Sequence, residues 1–165
     1  MNAKDNINLT NPWHFLAIGF GSGLSPIIPG TMGTLMAVPC YYVLSYLPFW
    51  AYLTVVVVGA VMGIVICQKT SDDMGVHDHG SIVWDEFIGY WITMAAVPFL
   101  SSELTAANWI WTGFVLFRFF DMVKPWPIKW LDRHVHGGLG IMADDILAGV
   151  ISAACLFGIG YYFSW

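Results

Sequence analysis

Long uncharged apolar runs, separated by short polar loops, dominate the chain. The clearest run covers residues 49–67, and the run over residues 146–163 is nearly as clear. A helix needs roughly 20 mainly apolar residues to cross a bilayer, so both runs predict membrane-spanning helices. Further spans are predicted at 32–47, which contains Pro39, and at 87–100 and 106–120.

This pattern predicts an all-α fold. We expect a single polytopic membrane helical bundle over residues 1–165, with about four to five spans. Residues 13–24 are too short to span, which indicates an N-terminal interfacial or re-entrant segment. Residues 1–11 form a polar tail without the basic, apolar and small-residue regions of a signal peptide, so we expect the mature chain to keep it.

The composition supports a membrane environment and limits the partners. Hydrophobic residues make up 58% of the chain and charged residues 10%, whereas charged residues are about a quarter of a soluble domain. The net charge of −5 argues against nucleic acid, because phosphate backbones are bound by basic surfaces. The membrane is therefore the expected partner, and the sequence predicts no particular protein partner.

The basic residues predict the orientation in the membrane. Lys4, Lys69 and the segment 124–133, with its three basic residues, fall on one side when five spans alternate. Short loops rich in Lys and Arg stay in the cytoplasm, so this side is predicted to be cytoplasmic. The same side carries every acidic residue except Glu103. The charged groups of this protein are thus expected at one face of the bilayer.

Acidic residues gather at predicted helix ends on that face. Asp85 and Glu86 open the third span, Asp121 closes the fourth, and Asp144 and Asp145 open the fifth. Carboxylates near hydrocarbon are costly and repel one another, and oxygen ligands suit a hard cation such as Mg²⁺. These five acids therefore predict a Mg²⁺ site. The alternative is that Glu86 or Asp144 caps a helix N-terminus.

Basic side chains lie beside the acids in the sequence. Arg118 precedes Asp121 by three residues, and Lys124 follows after three more, just before Pro125. An arginine at membrane depth is a functional candidate because its donors suit bidentate phosphate contacts. Arg118 and Lys124 are therefore predicted to bind phosphate. The alternative for Arg118 is a local salt bridge with Asp121.

A segment rich in Gly, Ser and Thr, residues 19–34, precedes a predicted helix. Free backbone N–H groups at a helix start, with Gly30 or Thr31 at the cap, form an anion site, so these two residues are further phosphate-binding candidates. The alternative is packing, because Gly19 and Gly23 form a G-x-x-x-G face.

The loop over residues 69–84 adds three acids, Asp72, Asp73 and Asp78, and two histidines. A continuous helix would place Asp78 two turns before Asp85 on the same face, which makes Asp78 a further catalytic candidate. The four loop histidines lack the cysteine or H-E-x-x-H partners of a zinc site. Each is interpreted as a solvated loop residue, or one of them as the acid that protonates a leaving alkoxide. These histidines are His77, His79, His134 and His136.

A repeated spacing of aspartate and glycine predicts a contact between two helices. Asp85 precedes Gly89 by four residues, and Asp145 precedes Gly149 by the same interval. Residues at this spacing share one helix face, so each glycine would let a neighbouring helix approach closely beside the carboxylate.

Four segments together resemble the phosphatidylglycerophosphatase A family in its bacterial inner-membrane form: residues 11–34, 75–93, 117–133 and 140–149. The resemblance implies Mg²⁺-dependent removal of the terminal phosphate from phosphatidylglycerophosphate, a step of phospholipid biosynthesis that yields phosphatidylglycerol. It places the family's acidic motifs at Asp85-Glu86, Asp121 and Asp144-Asp145. Arg118 and Lys124 would be its phosphate-handling positions.

The sequence is compatible with two mechanisms and with two competing classes of function. We predict direct attack by water, with a carboxylate as base; Asp85, Asp121, Asp145 and Asp78 are the catalytic candidates. A phospho-aspartyl intermediate is the alternative, although a D-x-D-x-[TV] motif is absent from the sequence. Competing functions are another lipid-phosphate enzyme, acting on phosphatidate or a polyprenyl phosphate, and a small cation transporter or channel.

Overall fold

The computed structural model describes residues 6–76, 79–100 and 105–162, and every regular element in these ranges is helical. The predicted all-α class is confirmed. Expectations that concern Lys4, Glu103 and residue 163 lie outside the described residues. The α-helices are α1 Pro12–Ala17, α2 Pro29–Leu44, α3 Phe49–Met74, α4 Trp84–Met94, α5 Ala106–Val123, α6 Ile128–His134 and α7 Gly137–Tyr162. Two 3-10 segments cover Gly19–Leu24 and Val97–Phe99.

Two of these helices, α3 and α7, are long and apolar enough to cross a membrane. Each has 26 residues; α3 contains the predicted span 49–67, and α7 contains residues 146–162 of the predicted span 146–163. Apolar side chains of α3 such as Val57, Val61 and Val65 are exposed, as expected for a helix that contacts lipid. The fold therefore supports a membrane-associated protein.

The other predicted spans are shorter helices. Region 32–47 falls mainly on α2, with 16 residues, and region 87–100 on α4, with 11 residues, followed by a 3-10 segment. Helix α5 has 18 residues but carries both Arg118 and Asp121. Within the described residues these helices do not meet the length and hydropathy expected of a span. The predicted total of four to five spans is therefore not confirmed.

Helices α4 and α7 form the centre of the bundle. Helix α7 packs against α3, α4, α5 and α6, while α4 packs against α2, α3, α5 and α7. Nine of the eleven residues of α4 are buried. Because neighbours surround it, α4 carries its acidic first turn into the interior of the molecule.

Glycines permit a close crossing of α4 and α7. A Cβ atom at Gly149 would collide with the carbonyl oxygen of Gly89, and one at Gly89 would lie 2.8 Å from the carbonyl oxygen of Asp145. The hydroxyl of Thr93 lies 3.0 Å and 3.3 Å from the carbonyl oxygens of Gly89 and Gly149. The predicted close approach is confirmed. It brings Asp85 and Asp145, one turn before each glycine, to the same end of the crossing.

The N-terminal segment packs against the beginning of α4. Helix α1 and the first 3-10 segment have six residues each, which agrees with a segment too short to span. A Cβ atom at Gly23 would collide with the carbonyl oxygen of Ser81, and one at Gly19 would lie 2.6 Å from the ring of Phe87. Packing of the Gly19–Gly23 face is confirmed, but against a loop and α4, because left-handed Phe20 and Gly21 interrupt the helix.

The prediction that Asp144 and Asp145 open a helix is wrong. Helix α7 begins at Gly137, so both acids lie in its interior and Asp144 cannot be an N-cap. The apolar run begins only at Ile146, but close packing extends the helix towards the N-terminus. The backbone N–H of Gly138 donates to Oε1 of Gln68 at 2.6 Å, and the helix there approaches α3 too closely for a Cβ atom.

Two further cap predictions are also wrong. Ile28, in the left-handed region with φ of 48°, is the N-cap of α2. Pro29 takes the first helical position, which suits its fixed φ and missing N–H, so neither Gly30 nor Thr31 is the cap. Glu86 lies in the first turn of α4, but the N-cap is Val83 and no side chain caps this helix.

Candidate active site

A polar cavity of about 200 Å³ lies where α2, α4, α5 and α7 meet. It brings together seven of the residues that the sequence predicts for the site: Asp85, Glu86, Asp121, Asp144, Asp145, Lys124 and Gly30. Pro29, Gly80, Ile82 and Ile141 complete its walls. Acids from three helices, separated by up to 60 residues in the sequence, therefore line one small cavity.

Asp145 is the most deeply buried of these acids. Its relative exposure is 3%, and its Oδ2 has no hydrogen-bond partner among the described residues. A buried carboxylate oxygen without a donor is energetically costly. This atom is therefore the clearest indication that the cavity accommodates a ligand that compensates negative charge.

Arg118 joins two of the other acids. Its Nη1 donates to Oε2 of Glu86 and, at 2.5 Å, to Oδ2 of Asp121. The local salt bridge with Asp121 is thus present, and the arginine is not one of the residues that line the cavity. Its Nε makes no hydrogen bond within the described residues. Direct phosphate binding by Arg118 stays a prediction.

Lys124 connects the cavity to α6. Its Nζ lies 2.6 Å from Oδ2 of Asp144 and 2.7 Å from Oδ1 of Asp132. Burial lowers the pKa of the ammonium group, but hydrogen bonds to both carboxylates outweigh this and raise the pKa above its ordinary value. A positive charge is therefore held on the cavity wall. Asp132 was missed by sequence reasoning, which gave no weight to a lone acid on a short helix.

Thr34 is a second residue that sequence reasoning missed. Its hydroxyl donates to Oε2 of Glu86 at 2.6 Å, and its side chain is fully buried. The available signal was helical spacing, because Thr34 follows Gly30 by four residues and so shares its face of α2.

The remaining candidates do not line the cavity. Thr31 lies in the first turn of α2 but is not part of the cavity wall. Nδ1 of His79 accepts from the backbone N–H of Ser81 at 3.1 Å, and His134 stacks on Trp130. These two histidines thus have local structural contacts. Asp78 and His77 lie outside the described residues.

Two larger cavities contain none of the five acids. A groove of about 460 Å³ runs beside α3 and the start of α7, where Lys69, Asp73 and His136 contribute polar groups. An apolar cavity of about 390 Å³ lies at the opposite end of α4 from Asp85, with Tyr41 and Tyr52 in its wall. The small cavity, rather than either larger one, therefore brings together the predicted site residues.

The cavity fits a cation with few protein ligands. Within the described residues, no three Asp, Glu, His or Cys side chains are arranged to ligate one ion. Mg²⁺, however, commonly binds one or two carboxylates and takes its other ligands from water and substrate phosphate. The unpartnered Oδ2 of Asp145 and the all-oxygen donors around it suit this mode of binding.

The fold and the cavity define a helical, membrane-associated protein with an acid-lined site at one end of its bundle. Residues 15–160 match the family model described as phosphatidylglycerophosphatase A. A phosphatidylglycerophosphatase A from Escherichia coli is 58% identical over 160 residues, which cover 97% of this chain and 90% of the relative. The chain belongs to the phosphatidylglycerophosphatase A family.

Two further relatives extend the comparison. A phosphatidylglycerophosphatase A from Haemophilus influenzae is 46% identical over 162 residues, covering 98% of this chain and 96% of the relative. A protein from Bacteroides thetaiotaomicron, provisionally named a phosphatidylinositol-3-phosphatase, is 39% identical over 145 residues, covering 83% and 86%. No solved structure matches the chain significantly.

Proposed function

We propose that this protein removes the terminal phosphate from phosphatidylglycerophosphate and releases phosphatidylglycerol and inorganic phosphate. Family membership and the names of two close relatives support this substrate. The structural observation that carries the proposal is the cavity in which Asp85, Asp121 and Asp145 meet Lys124. Such a combination of acids and a fixed ammonium group suits a phosphate monoester together with a cation.

We also propose that the reaction depends on Mg²⁺. Asp145 and Asp85 would hold the ion, with Glu86, Asp121 and Asp144 as further oxygen donors around the cavity. When bound, Mg²⁺ neutralises charge on a phosphoryl oxygen and lowers the pKa of a water molecule. The unpartnered Oδ2 of Asp145 supports this assignment.

The side chains of this protein then have separable roles. Lys124 binds a phosphate oxygen and stabilises negative charge in the transition state. A cavity carboxylate, Asp85, Asp121 or Asp145, accepts a proton from the attacking water. The new bond joins the water oxygen to phosphorus, and the bond from phosphorus to the glycerol oxygen breaks. That oxygen takes up a proton as phosphatidylglycerol leaves.

The proposed location is the bacterial inner membrane, with several crossings and the cavity facing the cytoplasm. Lys124 lies on the cavity wall, Lys129 lies in the first turn of α6, which packs against α7, and Lys69 follows Gln68, whose side chain contacts Gly138 in the first turn of α7. The preference of basic loops for the cytoplasm supports this orientation. The lipid headgroup could then reach the cavity while its acyl chains stay in the bilayer.

Phosphate release in detergent micelles tests the proposal. We expect the purified protein to release inorganic phosphate from phosphatidylglycerophosphate when Mg²⁺ is present, and to stop when a chelator is added. Absence of release would refute the proposed activity. Faster hydrolysis of phosphatidate or a polyprenyl phosphate would favour the other lipid-phosphate enzyme, and Mg²⁺ flux into liposomes would favour a transporter.

A reporter fused after Trp165 tests the orientation. With the cavity in the cytoplasm and five crossings, a periplasmic signal is expected. A cytoplasmic signal would contradict the proposed number of crossings or their direction.

A further inference from the structure

We infer that Thr34 is a positioning residue that orients the carboxylate of Glu86 towards the cavity. The fully buried Thr34 hydroxyl donates to Oε2 of Glu86 at 2.6 Å, and Thr34 itself does not line the cavity. It therefore acts through Glu86. This inference rests on the proposed function, because it assigns the cavity a bound cation and a phosphate substrate.

The two oxygens of Glu86 have different surroundings. Oε2 accepts hydrogen bonds from Thr34 and from Nη1 of Arg118. Oε1 faces Gly30, and both Gly30 and Glu86 line the cavity. With both donors on one oxygen, the plane of the carboxylate is fixed and the other oxygen is left on the cavity side.

One face of α2 builds this arrangement. Gly30 and Thr34 are four residues apart, so they lie one above the other on the helix. Gly30 allows the approach, because a Cβ atom there would collide with Oε1 of Glu86. Thr34 then supplies the hydroxyl one turn further along.

The Thr34 hydroxyl has two acceptors and one hydrogen. The carbonyl oxygen of Gly30 lies 3.1 Å away, whereas Oε2 of Glu86 lies at 2.6 Å. A hydrogen bond to an ionised carboxylate is shorter and stronger than one to a neutral carbonyl. The hydroxyl therefore donates its hydrogen to Glu86. Without it, Arg118 alone would hold Oε2, and the carboxylate could turn with the guanidinium.

Loss of a hydrogen bond to a carboxylate that binds a metal ion commonly lowers metal affinity or activity by about 10- to 100-fold. Thr34→Val keeps the shape of the side chain and removes the hydroxyl, whereas Thr34→Ser keeps the hydroxyl. We expect Thr34→Val to raise the Mg²⁺ concentration for half-maximal phosphate release about tenfold. Thr34→Ser should stay within about twofold of the wild type.

Thr70→Val is the matched control. Thr70 is also fully buried on a helix, but its hydroxyl makes no hydrogen bond among the described residues and it does not line the cavity. It reproduces the change from threonine to valine without the loss of a donor. We expect its Mg²⁺ response to equal that of the wild type.

A second readout needs no turnover. The increase of the thermal midpoint with Mg²⁺ concentration reports binding to the full-length protein in detergent without substrate. We expect the Thr34→Val titration to shift to about tenfold higher Mg²⁺, with Thr34→Ser and Thr70→Val unshifted. If Thr34→Val does not fold, Thr34→Ala replaces it in the same comparison.

The inference is overturned if both Mg²⁺ titrations of Thr34→Val match the wild type. It is also overturned if Thr34→Ser shifts as far as Thr34→Val, because packing rather than the hydroxyl would then be responsible. Failure of the wild type to release phosphate would instead refute the proposed function. The titrations of the thermal midpoint would still test the role of Thr34. If Mg²⁺ did not change the thermal midpoint of the wild type, that result would count against the proposed role of Thr34.

Discussion

Asp144 and Asp145 are neighbours in the sequence and line the same cavity, yet their hydrogen-bond partners differ. Oδ2 of Asp144 lies 2.6 Å from Nζ of Lys124, whereas Oδ2 of Asp145 has no hydrogen-bond partner among the described residues. Successive helical residues point about 100° apart. One acid thus faces the junction of α5 and α6, and the other faces α4. Identical carboxylates therefore have different hydrogen-bond partners because they lie on different faces of the helix.

The same contrast separates the acids of the whole cavity. Glu86 and Asp121 share Arg118, and Asp144 shares Lys124 with Asp132. A paired carboxylate costs less to bury than one whose charge is uncompensated. The salt bridges therefore compensate the charges of Glu86, Asp121 and Asp144, whereas the proposed function assigns Asp145 to a ligand. The following substitutions test this division.

Asp145→Asn should have the largest effect. We expect phosphate release from phosphatidylglycerophosphate to fall by roughly a hundredfold or more, because the substitution removes the charge that the ligand would compensate. The thermal midpoint in detergent should stay the same or rise, since a buried uncompensated charge is lost. A near-normal rate would contradict the assignment of Asp145.

Gly149→Ala should come next. Its Cβ atom would collide with the carbonyl oxygen of Gly89, so α4 and α7 must move apart and the distance between Asp85 and Asp145 must change. Overpacking of this kind costs about 1–3 kcal/mol. We expect a lower thermal midpoint together with a loss of activity.

Gly158→Ala is the control for that substitution. Gly158 lies on the same helix, and a Cβ atom there would meet no heavy atom within 4 Å. Its midpoint should be unchanged or higher, because alanine favours a helix over glycine by up to about 1 kcal/mol. Equal destabilisation by both substitutions would mean that the close contact between Gly89 and Gly149 is not the cause of the lower thermal midpoint.

Lys124→Gln should have an intermediate effect. The loss of a charge-assisted contact to phosphate, worth about 1.5–3 kcal/mol, corresponds to a decrease in kcat/KM of roughly 10- to 150-fold. Exposed Lys129, which has no ion pair among the described residues, provides the control Lys129→Gln. Steady-state kinetics in micelles should show near wild-type values for Lys129→Gln, and equal losses in both variants would argue for a general effect of positive charge.

Asp132→Asn should have the smallest effect. Lys124 would keep Asp144 as its partner, so the ammonium stays charged and only its position becomes less restricted. We expect KM to rise about two- to threefold, with kcat nearly unchanged, because the substituted pair is partly exposed. Asp72→Asn, an exposed acid bonded to Gln68, is the control. A larger loss for Asp132→Asn than for Lys124→Gln would reverse the proposed order.

The sequence by itself determined the helical class, the apolar helices α3 and α7, and the set of acids that line the cavity. It also predicted the close approach at Gly89 and Gly149. These features follow from local patterns, since hydropathy over a segment and residue spacing on one helix face need no knowledge of the neighbours.

Only the tertiary structure decided where α7 begins, which residue caps α2 and which acids have basic partners. The tertiary structure also showed that Thr34 and Asp132 contact residues of the cavity wall. The beginning of α7 depends on contacts with α3, and the pairing of Glu86 with Arg118 depends on how α4 and α5 are rotated and spaced. Hydrogen bonds and ion pairs require distances of about 3 Å between atoms far apart in the chain, so helix periodicity alone could not reveal them.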